Sequence, residues 1–98
     1  MFIERRLKEL NAVYGFTYHR VSVKNTATRW GSCSKKANLN FHYKVALLPP
    51  ELADYVLTHE LCHLEEFNHS AKFWNLVAQT IPNHAVLRTQ LKSSATQR

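Results

Sequence analysis

The sequence predicts an α+β fold: an N-terminal helix, a small antiparallel sheet of three to four strands packed on a central helix, and two further helices at the C-terminal end. Three observations carry this expectation. Apolar residues recur near helical spacing over residues 2 to 13. Asn38-Leu39-Asn40-Phe41-His42-Tyr43 alternates polar and apolar, the pattern of a half-buried strand. Pro49-Pro50 then punctuates the chain ahead of a long stretch without a helix breaker.

The first helix would turn Phe2, Ile3, Leu7, Leu10 and Val13 inward, and Asn11 to Gly15 breaks its pattern. Phe16, Tyr18, Val21 and Val23 suggest a first strand, with Lys24-Asn25-Thr26 as its turn. Thr28 to Cys33 suggests a second, and the polar Ser34 to Ala37 a turn. Asn38 to Tyr43 is the next strand, and Val45 to Leu48 a short apolar run before the central helix. Pro50 suits a first helical position, where its missing N–H costs nothing. Glu51 and Asp54 complement the positive end of the helix dipole. This helix is expected to run to about Phe67, with Asn68 in the left-handed conformation that ends it. Ser70 should cap a helix over residues 71 to 80 with Phe73, Trp74, Val77 and Ile81 inward, stopped by Pro82. Residues 83 to 92 form a last helix with Val86, Leu87 and Leu91 inward, and the polar tail from Ser93 should fray.

Ninety-eight residues fit one domain, 1–98, whose core is modest enough for a bound metal to add stability. Two glycines and three prolines argue against a disordered chain. The net charge of +6 comes from dispersed lysines and arginines. It reads as a solvated surface first, and as weak nonspecific contact with nucleic acid second. Cys33 and Cys62 do not make a disulfide framework. No apolar run is long enough to span a membrane, and Met-Phe-Ile-Glu-Arg-Arg lacks the apolar stretch of a signal peptide. The expected location is therefore cytoplasmic, with reduced thiols and no membrane partner.

The chemistry concentrates in His59-Glu60-Leu61-Cys62-His63. Residues four apart on a helix lie about 40° apart around its axis, so the two imidazoles point the same way and can chelate one zinc ion. Glu60 sits about 100° further round, too far to be an obvious ligand but within reach of a water on the metal. His69 follows beyond the expected helix end and can fold back as the third ligand. Three protein ligands leave a fourth position for water, the layout of a catalytic zinc site. Zinc would lower the pKa of that water, Glu60 would take its proton, and a peptide carbonyl is the expected target. His42 and Tyr43 are weak candidates for stabilising the oxyanion, if their strand is the edge that runs past the cleft.

Several stretches in order resemble a known family. They are Trp30-Gly31-Ser32-Cys33, Asn38-Leu39-Asn40, Leu48-Pro49-Pro50, Tyr55-Val56-Leu57-Thr58-His59-Glu60-Leu61-Cys62-His63 and Asn68-His69-Ser70-Ala71-Lys72-Phe73-Trp74. Together they are similar to the YgjP-like metallopeptidase domain, a relative of the SprT-like zinc proteases, over about residues 15 to 92. The resemblance implies a zincin-like fold with the small sheet packed on the active-site helix. It also implies zinc ligands at His59, His63 and His69, with Glu60 as base. Metzincin proteases share the spacing to the third histidine, but Glu66 stands where they carry glycine. The turn is therefore expected around Asn68.

The competing expectation is a non-catalytic zinc-bound module that grips a peptide, or one associated with DNA. Glu60 argues for catalysis, since a binding module has no use for the base. No zinc finger, helix-turn-helix or base-reading arginine cluster supports DNA recognition. Of the remaining residues, Trp30 and Cys33 are expected to pack strand against helix rather than line a cleft. Gly31 should permit a close backbone approach or a bulge, Cys62 should be a small buried side chain, and Phe73 and Trp74 should be core. Glu65 and Glu66 should face solvent.

Overall fold

The computed structural model describes residues 2–25 and 29–95, with side chains as far as residue 92. Four helices and a three-stranded sheet form the expected α+β architecture. In order they are α1 (Phe2–Tyr14), β1 (Arg20–Lys24), β2 (Gly31–Cys33), β3 (Asn38–His42), a 3-10 turn (Tyr43–Leu47), α2 (Pro50–Cys62), α3 (Ala71–Ala78) and α4 (His84–Ala95).

Local chemistry accounts for the element ends. Gly15 leaves α1 at φ +70°, a conformation that costs glycine little, and its N–H bonds Asn11 O at 2.7 Å. The Asn11 side chain then brackets Phe16, accepting from its N–H and donating to its carbonyl. The polar turn at Ser34 to Ala37 closes through Ala37 N–H to Ser34 O and Asn38 N–H to Ser34 Oγ, with Ala37 at φ 63°. Ser70 Oγ accepts from Phe73 N–H at the start of α3, as expected.

The sheet has the expected number of strands but is mixed. Its order is β1-β3-β2, with β2 antiparallel to β3 and β1 parallel to it. The short turn at 34–37 forces β2 and β3 to run in opposite directions. The chain first passes from β1 to the far side of the sheet, so β3 returns between its two predecessors. Alternation places Leu39 and Phe41 in the core correctly but carries no information about strand order. All three strands are shorter than expected: Phe16 to His19 lie outside β1, β2 begins at Gly31, and β3 ends at His42. The expected turn at Thr26 and strand start at Thr28 lie outside the described residues.

Helix α2 is the hub. It packs against α1, β2, α3 and α4, and Leu52, Ala53, Tyr55, Val56, Leu57, Thr58, Glu60, Leu61 and Cys62 are all buried along it. Burial on nearly every face is what a helix in the middle of a small core requires. Truncating fully buried Leu57 or Leu61 to alanine should cost about 2–5 kcal/mol. Its outer start is tied to α1 by a bidentate pair, Arg6 Nε to Asp54 Oδ1 at 2.8 Å and Arg6 Nη2 to Asp54 Oδ2 at 2.7 Å.

Several inward assignments change. Val13 and Val86 are exposed, because α1 and α4 each present a narrower face to α2, centred on Ile3, Leu7 and Leu10 and on Leu87. Trp74 is half-buried. The last helix continues to Ala95, past the expected fraying at Ser93, and residues 96–98 of the polar tail lie outside the described residues. Among the described residues no helix is long and apolar enough to cross a membrane.

Candidate metal centre

The helix expected to reach Phe67 stops at Cys62, with His63 as its C-cap. Cys62 O accepts from the N–H groups of both Glu65 and Glu66, which closes the last turn. The chain therefore turns directly after His63. Asn68 is not left-handed: the described residues with positive φ are Gly15 and Ala37. This early turn gives the third histidine enough chain to come back, and it does so without the glycine that metzincins use.

The result brings the three predicted imidazoles together. One nitrogen from each of His59, His63 and His69 lies within 4.8 Å of the others, and His63 Nε2 is 3.0 Å from His69 Nε2. Two nitrogens bound tetrahedrally to zinc at about 2.05 Å would stand roughly 3.3 Å apart, so the separation suits the ion. The protons are placed for it too. His63 Nδ1–H donates to Glu66 O at 2.9 Å, and His59 Nδ1–H donates to the Glu60 carboxylate at 3.0 Å. A backbone carbonyl can only accept, so a neutral His63 ring turns its Nε2 lone pair toward His69. Burial pushes the His63 pKa down, partly opposed by its bond to Glu66. Burial, the neighbouring imidazoles and the Arg88 charge all push His69 down. Both shifts favour the neutral form, which is the ligating one.

Phe73 is the residue whose part the sequence reading missed. It is fully buried as expected, but its ring also forms the floor beneath all three histidines. It stacks on His63 at 4.4 Å and meets His69 and His59 edge-on at 5.0 and 5.2 Å. Trp74 continues this floor outward, stacking on His69 and His84. A helical periodicity marks these side chains as inward without saying what lies above them.

Glu60 is buried beside His59. Gly31 makes room for it: a Cβ there would stand 3.0 Å from Glu60 Cγ, 3.1 Å from Phe41 Cδ1 and 3.2 Å from Asn40 O. The close approach expected of this glycine is thus specifically an approach of β2 to Glu60. Ser32 and Cys33 continue along the open side of the cluster. The strand at the cleft is β2, a sheet edge. The expected edge, Asn38 to Tyr43, is the central strand β3, hydrogen-bonded on both sides and followed by the 3-10 turn. His42 is accordingly buried at the end of β3, accepting at Nδ1 from Lys44 N–H. Neither His42 nor Tyr43 lines the cavities at the histidines.

Trp30 and Cys33 pack against the core and also line these cavities, so both readings of them hold. Burial and the Glu60 charge push the Cys33 thiol up to about 11. Cys62 is fully buried; its thiol is pushed up to about 11 by burial, with the Tyr14 hydroxyl opposing from the α1 side. Neither thiol is poised to ionise. Glu65 is exposed as expected, while Glu66 is half-buried and lends its carbonyl to His63.

Comparison with known proteins agrees with this architecture. The YgjP-like metallopeptidase domain matches residues 1–94. The metallopeptidase zymogen abylysin of Pyrococcus abyssi is 22% identical with a TM-score of 0.84, covering 94% of this chain and 93% of its own. The zymogen of Methanocaldococcus jannaschii jannalysin is 23% identical with a TM-score of 0.78, covering 98% and 97%. At these identities the two structures attest the fold. No curated protein matches the sequence.

Proposed function

The chain belongs to the YgjP-like metallopeptidase family, and from that premise we propose that it is a zinc-dependent peptidase in which His59, His63 and His69 hold the ion and Glu60 is the base. The observation that supports this most is the pairing of His63 Nε2 with His69 Nε2 at 3.0 Å, next to a carboxylate buried in the same pocket. The donor set suits zinc: three imidazoles, with no thiolate drawn in. Residues 1–98 act as one domain in this reading.

When bound, zinc supplies Lewis acidity, bringing the ionisation of a water toward neutral pH and polarising a carbonyl. The side chains do the rest. Glu60 accepts the proton of the attacking water at its carboxylate and returns it to the amine leaving group as the peptide bond breaks. The His59 Nδ1–H bond and the wall made by Gly31 hold that carboxylate in place. Glu66 O keeps the His63 proton on Nδ1, so its Nε2 stays available. Phe73 keeps water from beneath the histidines. The free edge of β2 offers backbone groups that can align an extended peptide along the cleft.

Replacing Glu60 with glutamine tests this reading. The variant should keep about one zinc per chain by elemental analysis while peptide cleavage falls about 10²–10⁴-fold. Cleavage at the wild-type rate would remove Glu60 from the mechanism. A wild-type chain that takes up no zinc would remove the ligands.

A further inference from the structure

Beside the cluster lies a cavity of 280 Å³ that the catalytic scheme does not use. It sits between α2, α4 and the start of β2, with His59 and Glu60 at its inner end. Its walls are Trp30, Tyr55, Val56 and Leu91, so a hydrocarbon stem would be desolvated favourably there. Its rim is cationic: Arg88 and Lys92 stand one turn apart on α4, Arg29 lines the cavity beside Trp30, and Glu60 is the one acidic residue there. Among the described residues neither Arg88 nor Lys92 is paired with a carboxylate. Arg88 is held in position by lying over the Trp74 ring at 5.6 Å.

An apolar slot with Arg88 and Lys92 at its rim, opening on the reacting centre, is complementary to one kind of substrate group. We propose that this cavity is the subsite for a substrate residue carrying a carboxylate. The apolar stem would lie between Trp30 and Leu91, and the carboxylate would bond to Arg88 and Lys92. The arginine is suited to a bidentate grip and the lysine to a point-charge contact. The chain's net charge of +6 would favour the approach of acidic peptides. This rests on the peptidase reading of the neighbouring histidines and names the substrate class that the reading leaves open.

Binding to the zinc-loaded Glu60→Gln chain separates the two ideas, because it needs no cleavage. The probes are acetyl-Ala-Ala-Glu-Ala-Ala-amide, its Gln counterpart, and the Gln peptide with a free C-terminal carboxylate, titrated by NMR with zinc content measured on the same samples. The Glu peptide should bind about tenfold tighter than the amidated Gln peptide. A preference for the free-terminus peptide instead would identify the α-carboxylate as the group recognised, which also supports the subsite. Adding Arg88→Glu or Lys92→Glu, both at exposed positions, should abolish or reverse the preference while zinc stays bound. Equal binding of all three peptides, or a preference that survives both substitutions together, overturns the proposal. A zinc-loaded chain without preference counts against this subsite alone; a chain that takes no zinc yet prefers the Glu peptide counts against the metal reading alone.

Discussion

Among the described residues two histidines are buried, and each closes an element: His42 the end of β3 and His63 the end of α2. Their surroundings run in opposite senses. His42 accepts at Nδ1 from Lys44 N–H, which caps the 3-10 turn, and its ring packs against Trp30 and Tyr43. His63 donates from Nδ1 to Glu66 O, meets His69 Nε2 with its own Nε2 at 3.0 Å, and has the His59 ring edge-on at 4.8 Å. A neutral ring carries one proton, so the backbone group facing Nδ1 decides what the far nitrogen can do. Behind an N–H donor the far nitrogen of a neutral ring keeps the proton. Behind a carbonyl it is a lone pair. Burial alone does not mark a candidate ligand; the sense of that backbone bond separates His63 from His42.

The sharpest way to break this comparison is to remove each ring. His63→Ala should take the chain from about one zinc to near none and abolish cleavage, because two imidazoles do not make a stable site. His42→Ala should leave zinc content unchanged and lower stability by about 2 kcal/mol, through the lost cap and the gap under Trp30. Elemental analysis and urea unfolding on the two variants check both arms. Zinc lost equally from both would mean that the ends of β3 and α2 are not separable as argued.

The same contrast shows how far the sequence could be read. The spacing of His59 and His63 is legible because a helix converts four residues into one face, and His69 because it follows within reach of a turn. The place of that turn was not legible. Asn68 offered a stop signal, but Cys62 O captured two N–H groups and ended the helix first, a choice made by backbone geometry at His63 rather than by a breaker residue. In the sheet, Leu39 and Phe41 announced their burial by alternation. The three-residue β2 is too short to show a period, and alternation carries no strand order, so the parallel pairing of β1 and the cleft-side edge of β2 came from topology. Arg88 reaches the cleft from α4, nearly thirty positions past Glu60 along the chain, and no local pattern links the two.

A substitution of smaller effect sharpens the role of β2. Gly31→Ala places a methyl group 3.0 Å from Glu60 Cγ, with the Phe41 ring and Asn40 O as close on the other sides. Phe41 is fully buried and Asn40 O is backbone, so Glu60 is the neighbour that moves. The expected outcome is a loss of about 10²-fold in kcat with zinc retained and about 1–3 kcal/mol of strain in the fold. A variant that loses zinc and activity together would show that β2 supports the histidines rather than the carboxylate. Unchanged kcat would show that Glu60 has room to spare.

The smallest effect is the pH dependence of the metal-free fold. Burial lowers the pKa of both His63 and His69 in the folded chain, whereas in the unfolded chain they titrate near the ordinary imidazole value of about 6.5. As pH falls below that value, the unfolded state takes up protons that the folded state refuses. Stability contributed by the neutral rings is therefore full above about pH 6.5 and is lost as pH falls toward their depressed folded values. The thermal midpoint of metal-free protein should drop between pH 7.5 and 5.5, and part of that drop should vanish in the His63→Ala, His69→Ala double variant. In zinc-loaded protein the same protons compete with the ion for Nε2, so zinc release should accompany the loss. If the metal-free double variant kept the full wild-type slope, the pH response would belong to other groups, and the neutrality of His63 and His69 would have to come from the metal instead of from burial.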